Sequence, residues 1–136
     1  MDLPDITITS LDHKRLTTLL DELPSTSGIH LDALDRELAR AKIVPSKAVS
    51  PDVVTMNSSI RFEDELSGIV RDVTLVYPDK ADKQTGRVSV LSPLGSILLG
   101  LRVGQTIECS YSNGRRSRYR VLEVTYQPEA AGHFEL

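Results

Sequence analysis

The chain has 136 residues, which is the size of one domain or of one compact domain with a small appendage, so a multidomain enzyme is excluded. Hydrophobic residues make up 40% of the chain but aromatic residues only 4%, which predicts a core of Leu, Val and Ile without an aromatic-walled pocket. The formal net charge of −3 is divided almost evenly along the chain, which argues against direct binding of DNA phosphates.

Cysteine content and the N-terminus bear on the compartment. The single cysteine, Cys109, excludes an intramolecular disulfide and any zinc site built on cysteine pairs. Residues 1–8 show no basic region followed by an apolar run, and no stretch reaches the ~18 apolar residues of a membrane span. We therefore expect a cytoplasmic protein in which Cys109 is a small buried residue.

The N-terminal part predicts two helices with leucine stripes. Residues 5–9 alternate and predict a short strand that delivers Ser10 as the N-cap of the first helix, which runs to about Leu23. A polar turn over 24–28 leads to a second helix over about 29–42. The stripes consist of Leu16, Leu19, Leu20 and Leu23 on the first helix and of Leu31, Leu34, Leu38 and Ala41 on the second. We expect an antiparallel coiled-coil hairpin in which each helix hides the other's stripe, with arms only ~20 Å long.

The sequence changes character after a linker near residue 49. Segments rich in β-branched residues and bounded by turn signals predict strands over 53–55, 59–62, 69–77, 87–91, 106–111 and 116–127. Ser92 and Pro93 open a short helix through Leu99, and a tight turn over 112–114 joins the last two strands. The predicted fold class is α+β, with a helical hairpin over 1–48 and a mostly antiparallel sheet domain with one helix over 49–136.

Four arginines lie within residues 115–120, and Arg116, Arg118 and Arg120 alternate onto one face of the last predicted strand. That face is either a contact surface for phosphate or an acidic protein, or the solvated side of the sheet, and we favour the solvated side. Beyond Val121 the apolar residues change phase, which predicts a β-bulge at that point.

Support for catalysis or for a metal is weak in this sequence. The three histidines share no ligand spacing, and no nucleophile with its base or glycine-rich phosphate loop can be nominated. Asp21, Glu22 and Asp32 could gather near the hairpin tip and hold Mg²⁺, but we favour solvated helix ends. We therefore predict no enzyme activity, no metal and no cofactor.

The block over 91–104, LSPLGSILLGLRVG, after a leucine-striped hairpin resembles the Gre family of transcription factors, and most closely its Rnk group. Further similar segments are PDVVTMNS at 51–58, TLVYP at 74–78 and VTYQPEAAG at 124–132. Together these segments cover most of the C-terminal half.

The resemblance implies an FKBP-like C-terminal domain and binding to RNA polymerase at the mouth of its secondary channel. In Gre factors a much longer coiled coil enters that channel, and acidic residues at its tip hold the Mg²⁺ that stimulates cleavage of backtracked RNA. Here the tip contains Ser25, Thr26 and Ser27 and no acidic motif, and the arms are short. We therefore expect no stimulated cleavage.

Gre factors hold the polymerase partly through the turn before the helix of the C-terminal domain, which often reads Asp-Ser-Pro. This chain keeps the serine and the proline but replaces the acid with leucine, and Gln105 replaces the Asp that commonly follows the glycine at 104. By this resemblance, the expected partner-binding residues are Leu91, Ser92, Pro93, Ser25, Thr26, Ser27, Asp21 and Glu22.

The expected function is that of a non-enzymatic regulator that binds the channel rim of RNA polymerase and competes with Gre factors. It would meet nucleic acid only indirectly through the polymerase, and it would bind no membrane. An effect on nucleoside diphosphate kinase, which the name of the Rnk group implies, would follow from transcription. The alternative is a peptidyl-prolyl isomerase, suggested by the FKBP-like fold, although Phe62 and Phe134 alone make an aromatic pocket hard to build. The oligomeric state and the promoters affected are left open.

Overall fold

The computed structural model describes residues 5–22, 30–110, 114 and 116–133, and for residues 30–33, 83, 93, 109 and 110 it describes the backbone without the side chain. The predictions for the turn over 24–28, for most of the turn over 112–114 and for the Cys109 side chain therefore lie outside the described residues.

The secondary structure follows the predicted order, with differences at the ends of several elements. The N-terminal part contains strand β1 (Thr7–Thr9), helix α1 (Ser10–Glu22), helix α2 (His30–Arg40) and strand β2 (Lys42–Val44). The C-terminal part contains strands β3 (Ser59–Asp64), β4 (Ile69–Val76) and β5 (Arg87–Ser89), helix α3 (Pro93–Leu98), and strands β6 (Thr106–Ser110) and β7 (Arg116–Tyr126). Single 3₁₀ turns lie at Ser46–Ala48, Pro78–Lys80 and Lys83–Thr85. None of the helices within the described ranges has the length and apolar character that crossing a membrane requires.

The end of the second predicted helix is wrong. Helix α2 ends at Arg40, and β2 pairs in parallel with β1, so that Lys42 lies opposite Thr7. The prediction extended the helix because apolar spacing continues to Ala41, whereas pairing with a strand distant in sequence decides the conformation of the next residues.

The cap of the first helix is also corrected. Thr9 Oγ1 accepts a hydrogen bond from the backbone N of Asp12 at 3.1 Å, so Thr9 is the N-cap and Ser10 already belongs to α1. Thr9 and Ser10 are both residue types that commonly cap helices. Thr9 is the cap in the structure because β1 ends at Thr9 and the helix begins at the next residue.

The C-terminal part is built on a five-stranded sheet with the order β5-β4-β3-β7-β6. The β3–β4, β3–β7 and β6–β7 pairs are antiparallel and the β4–β5 pair is parallel, which confirms a mostly antiparallel sheet in an α+β fold. The predicted strand over 53–55 is wrong, because Val53 makes an isolated bridge to Arg102 and Val54 bonds through its backbone to Gly100 and Leu101. Strand β5 ends at Ser89, two residues earlier than predicted.

Strand β7 contains the predicted bulge. Opposite β3, Phe62 pairs with Val121 and Arg61 pairs with Glu123, so Leu122 is the extra residue. Odd-numbered residues face the core before the bulge, and even-numbered residues are the less exposed ones after it. The change of phase in the sequence is thus a change of strand register.

One hydrophobic core continues through both parts of the chain. Its buried members are Ile6, Ile8, Leu16, Leu34 and Leu38 from the N-terminal part and Val54, Met56, Ile60, Phe62, Leu75, Val90, Leu98, Leu99, Leu101, Ile107, Tyr119 and Val121 from the C-terminal part. Helix α2 contacts α3 as well as α1, so the leucine stripes pack against the sheet domain in addition to each other. The coiled-coil hairpin and the division after residue 48 stay predictions.

Candidate partner-binding site

Two serines hold the turn before helix α3. Ser92 is the N-cap, since its Oγ accepts a hydrogen bond from the backbone N of Gly95 at 3.0 Å and donates one to the carbonyl oxygen of Ser89 at 2.6 Å. The Ser89 Oγ accepts a further bond from the backbone N of Leu91 at 3.0 Å. Pro93 follows in the first turn of the helix, where a missing N–H leaves no bond unmade. The polar groups of this turn therefore fix its backbone.

Close contact between α3 and the end of β5 requires glycine at position 95. A Cβ atom added there would lie 2.0 Å from the carbonyl oxygen of Ser89 and 2.8 Å from its carbonyl carbon. No side chain can be accommodated unless the helix moves away from the strand. The turn and the helix thus form one rigid unit.

A groove of about 860 Å³ opens beside this turn. Its lining includes Arg71, Val73, Asp82, Arg87, Ser92 and Leu94, and both arginines are exposed. A second cavity of about 300 Å³ shares Arg71 and Leu94 with the groove and reaches the β3–β4 hairpin. Near that hairpin Leu66, Ile69 and Val70 are 60%, 51% and 49% exposed. Exposed apolar side chains next to cationic ones are typical of a protein-binding surface.

The other expected contact residues lie elsewhere. Asp21 and Glu22 are exposed in the last turn of α1, and Glu22 lines a separate cavity of about 650 Å³ between α1 and the 3₁₀ turn Pro78–Lys80. Residues 78–80 line this cavity and residues 81–82 line the groove at Ser92, so one loop borders both. The predictions for Ser25, Thr26 and Ser27 lie outside the described residues, as does the side chain of Asp32.

A buried carboxylate joins α1 to the C-terminal part. Asp12 is 2% exposed, and its Oδ2 accepts a hydrogen bond from the backbone N of Met56 at 3.1 Å. Burial raises the pKa of Asp12 to about 6, and the charge of Glu129 also raises it, against hydrogen bonds from Met56 and Thr9 and the charge of Arg15. Asp12 is not among the candidate residues predicted from the sequence. The available signal was an acid one helical turn before Leu16, on the apolar stripe.

The segments that carry the family resemblance meet beside Asp12. Thr55 Oγ1 donates a hydrogen bond to Glu129 Oε1 at 2.6 Å, and the Thr55 backbone N donates one to Ser58 Oγ at 3.0 Å. Gln127 Nε2 donates to the carbonyl oxygens of Ser50 and Val53, both at 2.8 Å. These contacts give the polar residues of 51–58 and 124–132 a structural role, because they join distant parts of the chain.

Two of the three arginines on the face of β7, Arg118 and Arg120, pair with neighbouring acids. Arg118 Nε lies 3.2 Å from Glu65 Oε1, its Nη1 lies 3.8 Å from Glu108 Oε1, and Arg120 Nη2 lies 3.6 Å from Glu65 Oε2. The two arginine side chains are 46% and 48% exposed, whereas Tyr119, between them in sequence, is buried. The solvated interpretation that the sequence favoured is supported.

The described residues offer little for isomerase or metal chemistry. Phe62 and Tyr119 form an edge-to-face pair with ring centroids 5.5 Å apart and line the 300 Å³ cavity, but they are only 1% and 8% exposed. Phe134 lies outside the described residues. Among those residues no three His, Cys, Asp or Glu side chains converge as metal ligands. The isomerase alternative stays a prediction.

Fold and surface together define a class of protein. The chain is an α+β protein in which a helical N-terminal part shares its hydrophobic core with a domain built on a five-stranded sheet, and a rigid helix-capping turn opens onto a partly apolar groove. This combination is typical of a protein-binding module.

Comparisons with known proteins give the family. Residues 49–126 match the family described as "Transcription elongation factor, GreA/GreB, C-term", and residues 4–44 match "Rnk N-terminus". The regulator of nucleoside diphosphate kinase of Escherichia coli strain K12 is 43% identical over 137 residues, which cover 100% of both chains. A transcription elongation factor GreA of Chlorobium phaeobacteroides is 32% identical over 104 residues, which cover 76% of this chain and 65% of that protein.

A solved structure agrees with these matches. The prokaryotic transcription elongation factor GreA/GreB from Nitrosomonas europaea superposes with a TM-score of 0.73 at 46% sequence identity, over 90% of this chain and 99% of that one. The chain therefore belongs to the GreA/GreB transcription elongation factor family and, within it, to the Rnk proteins. The FKBP-like description of the sheet domain stays a prediction.

Proposed function

We propose that this protein is a non-catalytic transcription regulator that binds RNA polymerase at the rim of the secondary channel. It competes there with Gre factors and does not stimulate transcript cleavage. The observation that carries the proposal is that the GreA/GreB match over 49–126 contains the rigid α3 turn and its groove. The contact residues we assign are Leu91, Ser92, Pro93, Asp21 and Glu22, with Ser25, Thr26 and Ser27 at the predicted tip.

Rigidity at the α3 turn favours binding. A contact loop that is already ordered loses little conformational entropy when a partner binds. Leu91, which stands where the family often has an acid, is partly buried against the core. We therefore expect the contact to depend on the apolar groove and on the flanking Arg71 and Arg87 more than on a carboxylate at position 91.

Two features support binding without cleavage. The tip sequence over 24–28 contains no carboxylate, so it offers no ligand for a catalytic Mg²⁺. Helix α1 has 13 residues and α2 has 11, which at the α-helical rise makes them only ~20 Å and ~16 Å long. A helical part this short can cover the entrance of the secondary channel but does not reach the active site at its inner end. An effect on nucleoside diphosphate kinase, which the relatives' name states, would then be downstream of transcription.

The binding experiment is a pull-down of core RNA polymerase with the purified full chain, with and without excess GreA. We expect binding that GreA displaces. Arg71→Glu and Arg87→Glu change exposed residues of the groove and should weaken binding, whereas Arg116→Glu on the face of β7 is the matched control. Absence of binding, or binding that excess GreA leaves unchanged, would contradict the proposal.

A cleavage assay tests the second half of the proposal. Backtracked transcription complexes should show no faster RNA cleavage when this protein is added alone, and GreA-stimulated cleavage should fall as its concentration rises. If the purified protein itself accelerates cleavage, the assignment as a non-catalytic competitor is wrong.

A further inference from the structure

A polar cavity of about 340 Å³ lies at the junction of the N-terminal and C-terminal parts. Its lining includes Asp5, Thr7, Arg40, Lys42, Arg102 and Gln105. These residues come from β1 and the segment before it, from the end of α2, from β2 and from the turn before β6. Arg102 belongs to the block over 91–104 that carries the family resemblance, but none of the contact residues assigned for the polymerase lines this cavity.

The walls of the cavity are fixed by backbone contacts. The backbone N of Lys42 donates to the carbonyl oxygen of Ile6 at 3.0 Å, and the backbone N of Thr7 donates to that of Gly100 at 3.1 Å. Gly100 has a φ of +84°, and a Cβ there would lie 2.8 Å from the Ile6 Cβ, so the two segments approach as closely as their atoms allow. The cavity is therefore preformed.

Gln105 closes one side of the cavity without adding charge. Its Oε1 accepts a hydrogen bond from the backbone N of Arg102 at 2.8 Å, and its Nε2 donates one to the carbonyl oxygen of Asp5 at 3.1 Å. Both ends of the amide are thus engaged in holding the turn against the N-terminal segment.

The cavity is cationic in a chain whose net charge is −3. Three basic side chains and one acid line it, and Arg40 is already paired with Glu37, with Nη2 2.6 Å from Oε2. Lys42 and Arg102 are exposed, and neither forms an ion pair within the part of the chain that the structure describes. Both cationic side chains line the same cavity and are accessible to an anion from solvent.

We propose that this cavity binds a small phosphorylated ligand whose phosphate groups lie between Lys42 and Arg102. Lysine supplies a compact charge and arginine a planar pair of donors, a combination suited to phosphate oxygens. A local cationic cavity on an acidic protein favours a short polyphosphate over a long nucleic acid, whose further phosphates would be repelled. Free inorganic polyphosphate and a nucleotide share this chemistry.

The test is a titration of the full chain with sodium tripolyphosphate and, separately, with ATP. Binding is measured from the changes in amide NMR chemical shifts, at low and at physiological salt concentration. We expect salt-dependent binding with shifts at Thr7 and Gln105. Lys42→Gln and Arg102→Gln should each raise the dissociation constant of both probes about fivefold, because each removes one exposed charge at contact distance from the phosphate. Gln105→Glu adds an acid beside the two cations but also removes the Nε2 donor to the Asp5 carbonyl, so weaker binding in this variant supports the proposal only if its thermal unfolding is unchanged. Tighter binding of ATP than of tripolyphosphate would identify a nucleotide as the source, and equal binding would identify the polyphosphate group alone.

Lys80→Gln is the matched control, because Lys80 borders the separate cavity beside α1. Thermal unfolding of every variant checks that the fold is retained. Failure of both probes to bind at millimolar concentration, equal loss in Lys80→Gln, or tighter binding of an RNA oligonucleotide than of either probe would overturn the proposal. None of these measurements involves the polymerase.

Discussion

The turn before helix α3 and the outer face of strand β7 both present polar side chains, but they differ in burial and in partners. At the turn, Ser92 and Ser89 bond to the backbone next to a glycine that no other residue can replace. On β7, Arg118 and Arg120 pair with acids in positions that are almost half exposed. The first set determines a backbone conformation, and the second mainly neutralises charge.

This difference separates two surfaces that the sequence offered as partner contacts. Exposed ion pairs contribute little to stability because water and salt screen them. Buried hydrogen bonds to backbone groups are costly to lose because the group left behind has no water to replace its partner. We therefore expect substitutions at the partly buried turn and at the buried Asp12 to have larger effects than substitutions on β7.

The largest effect is expected for Gly95→Ala. The new Cβ would meet the Ser89 carbonyl, so α3 must separate from β5, and the free energy of unfolding should fall by about 3 kcal/mol or more. Urea denaturation measures it. Gly68→Ala is the control. Gly68 has a φ of +75°, which strains an alanine, but no atom lies within 4 Å of the added Cβ. Its free energy of unfolding should therefore fall by only about 1 kcal/mol. Equal losses in the two variants would show that the close contact is not the cause.

Asp12 provides the pH-dependent test of a buried polar group. Its pKa in the folded protein is about 6 against an ordinary 3.8, so the folded state holds the proton more tightly than the unfolded state. The resulting stability is complete below pH 3.8 and is lost as pH rises through 6, with a total of about 3 kcal/mol. Asp12→Asn should therefore gain stability relative to the natural chain between pH 4 and pH 7, as measured by urea denaturation across that range.

The matched control for this experiment is Asp21→Asn, an exposed acid on the same helix. Its stability curve should stay parallel to that of the natural chain across the range. If the curve of Asp12→Asn is also parallel, the buried carboxylate is not the source of the pH dependence.

Ser92→Ala removes the cap of α3 and leaves the backbone N of Gly95 without its partner. The expected loss is about 1 kcal/mol, the usual cost of an N-cap serine. Ser92→Thr keeps the hydroxyl and should restore most of the stability, which chemical denaturation resolves. A loss in Ser92→Thr as large as in Ser92→Ala would mean that packing, and not the cap, holds the turn.

Local signals in the sequence predicted local structure well. The Ser92 cap followed by Pro93 marked the start of α3, and the change of apolar phase after Val121 marked the bulge in β7. Each of these features depends on residues that are neighbours in the chain. The GreA/GreB resemblance was likewise carried by short segments that the family comparison confirmed.

Contacts between segments that are distant in the chain could not be predicted from the sequence. Strand β2 exists because Lys42 lies opposite Thr7, and apolar spacing within either segment does not report that pairing. Asp12 is structural because Met56 comes to it from another part of the chain. Gln105 was visible only as a departure from the family pattern until the structure placed its amide against Asp5. Sites built across the junction of the two parts therefore require the fold.

The smallest effect is expected on the face of β7. Arg118→Gln breaks ion pairs with Glu65 and Glu108, but at 46% exposure the free energy of unfolding should change by less than about 0.5 kcal/mol. The small difference should shrink further in 0.5 M salt at about a 4 Å Debye length, because the charges are then screened. Urea denaturation at both salt concentrations measures it. A loss above about 1 kcal/mol that persists in salt would mean that this face stabilises the fold as much as the partly buried turn does, because exposed pairs alone rarely contribute so much.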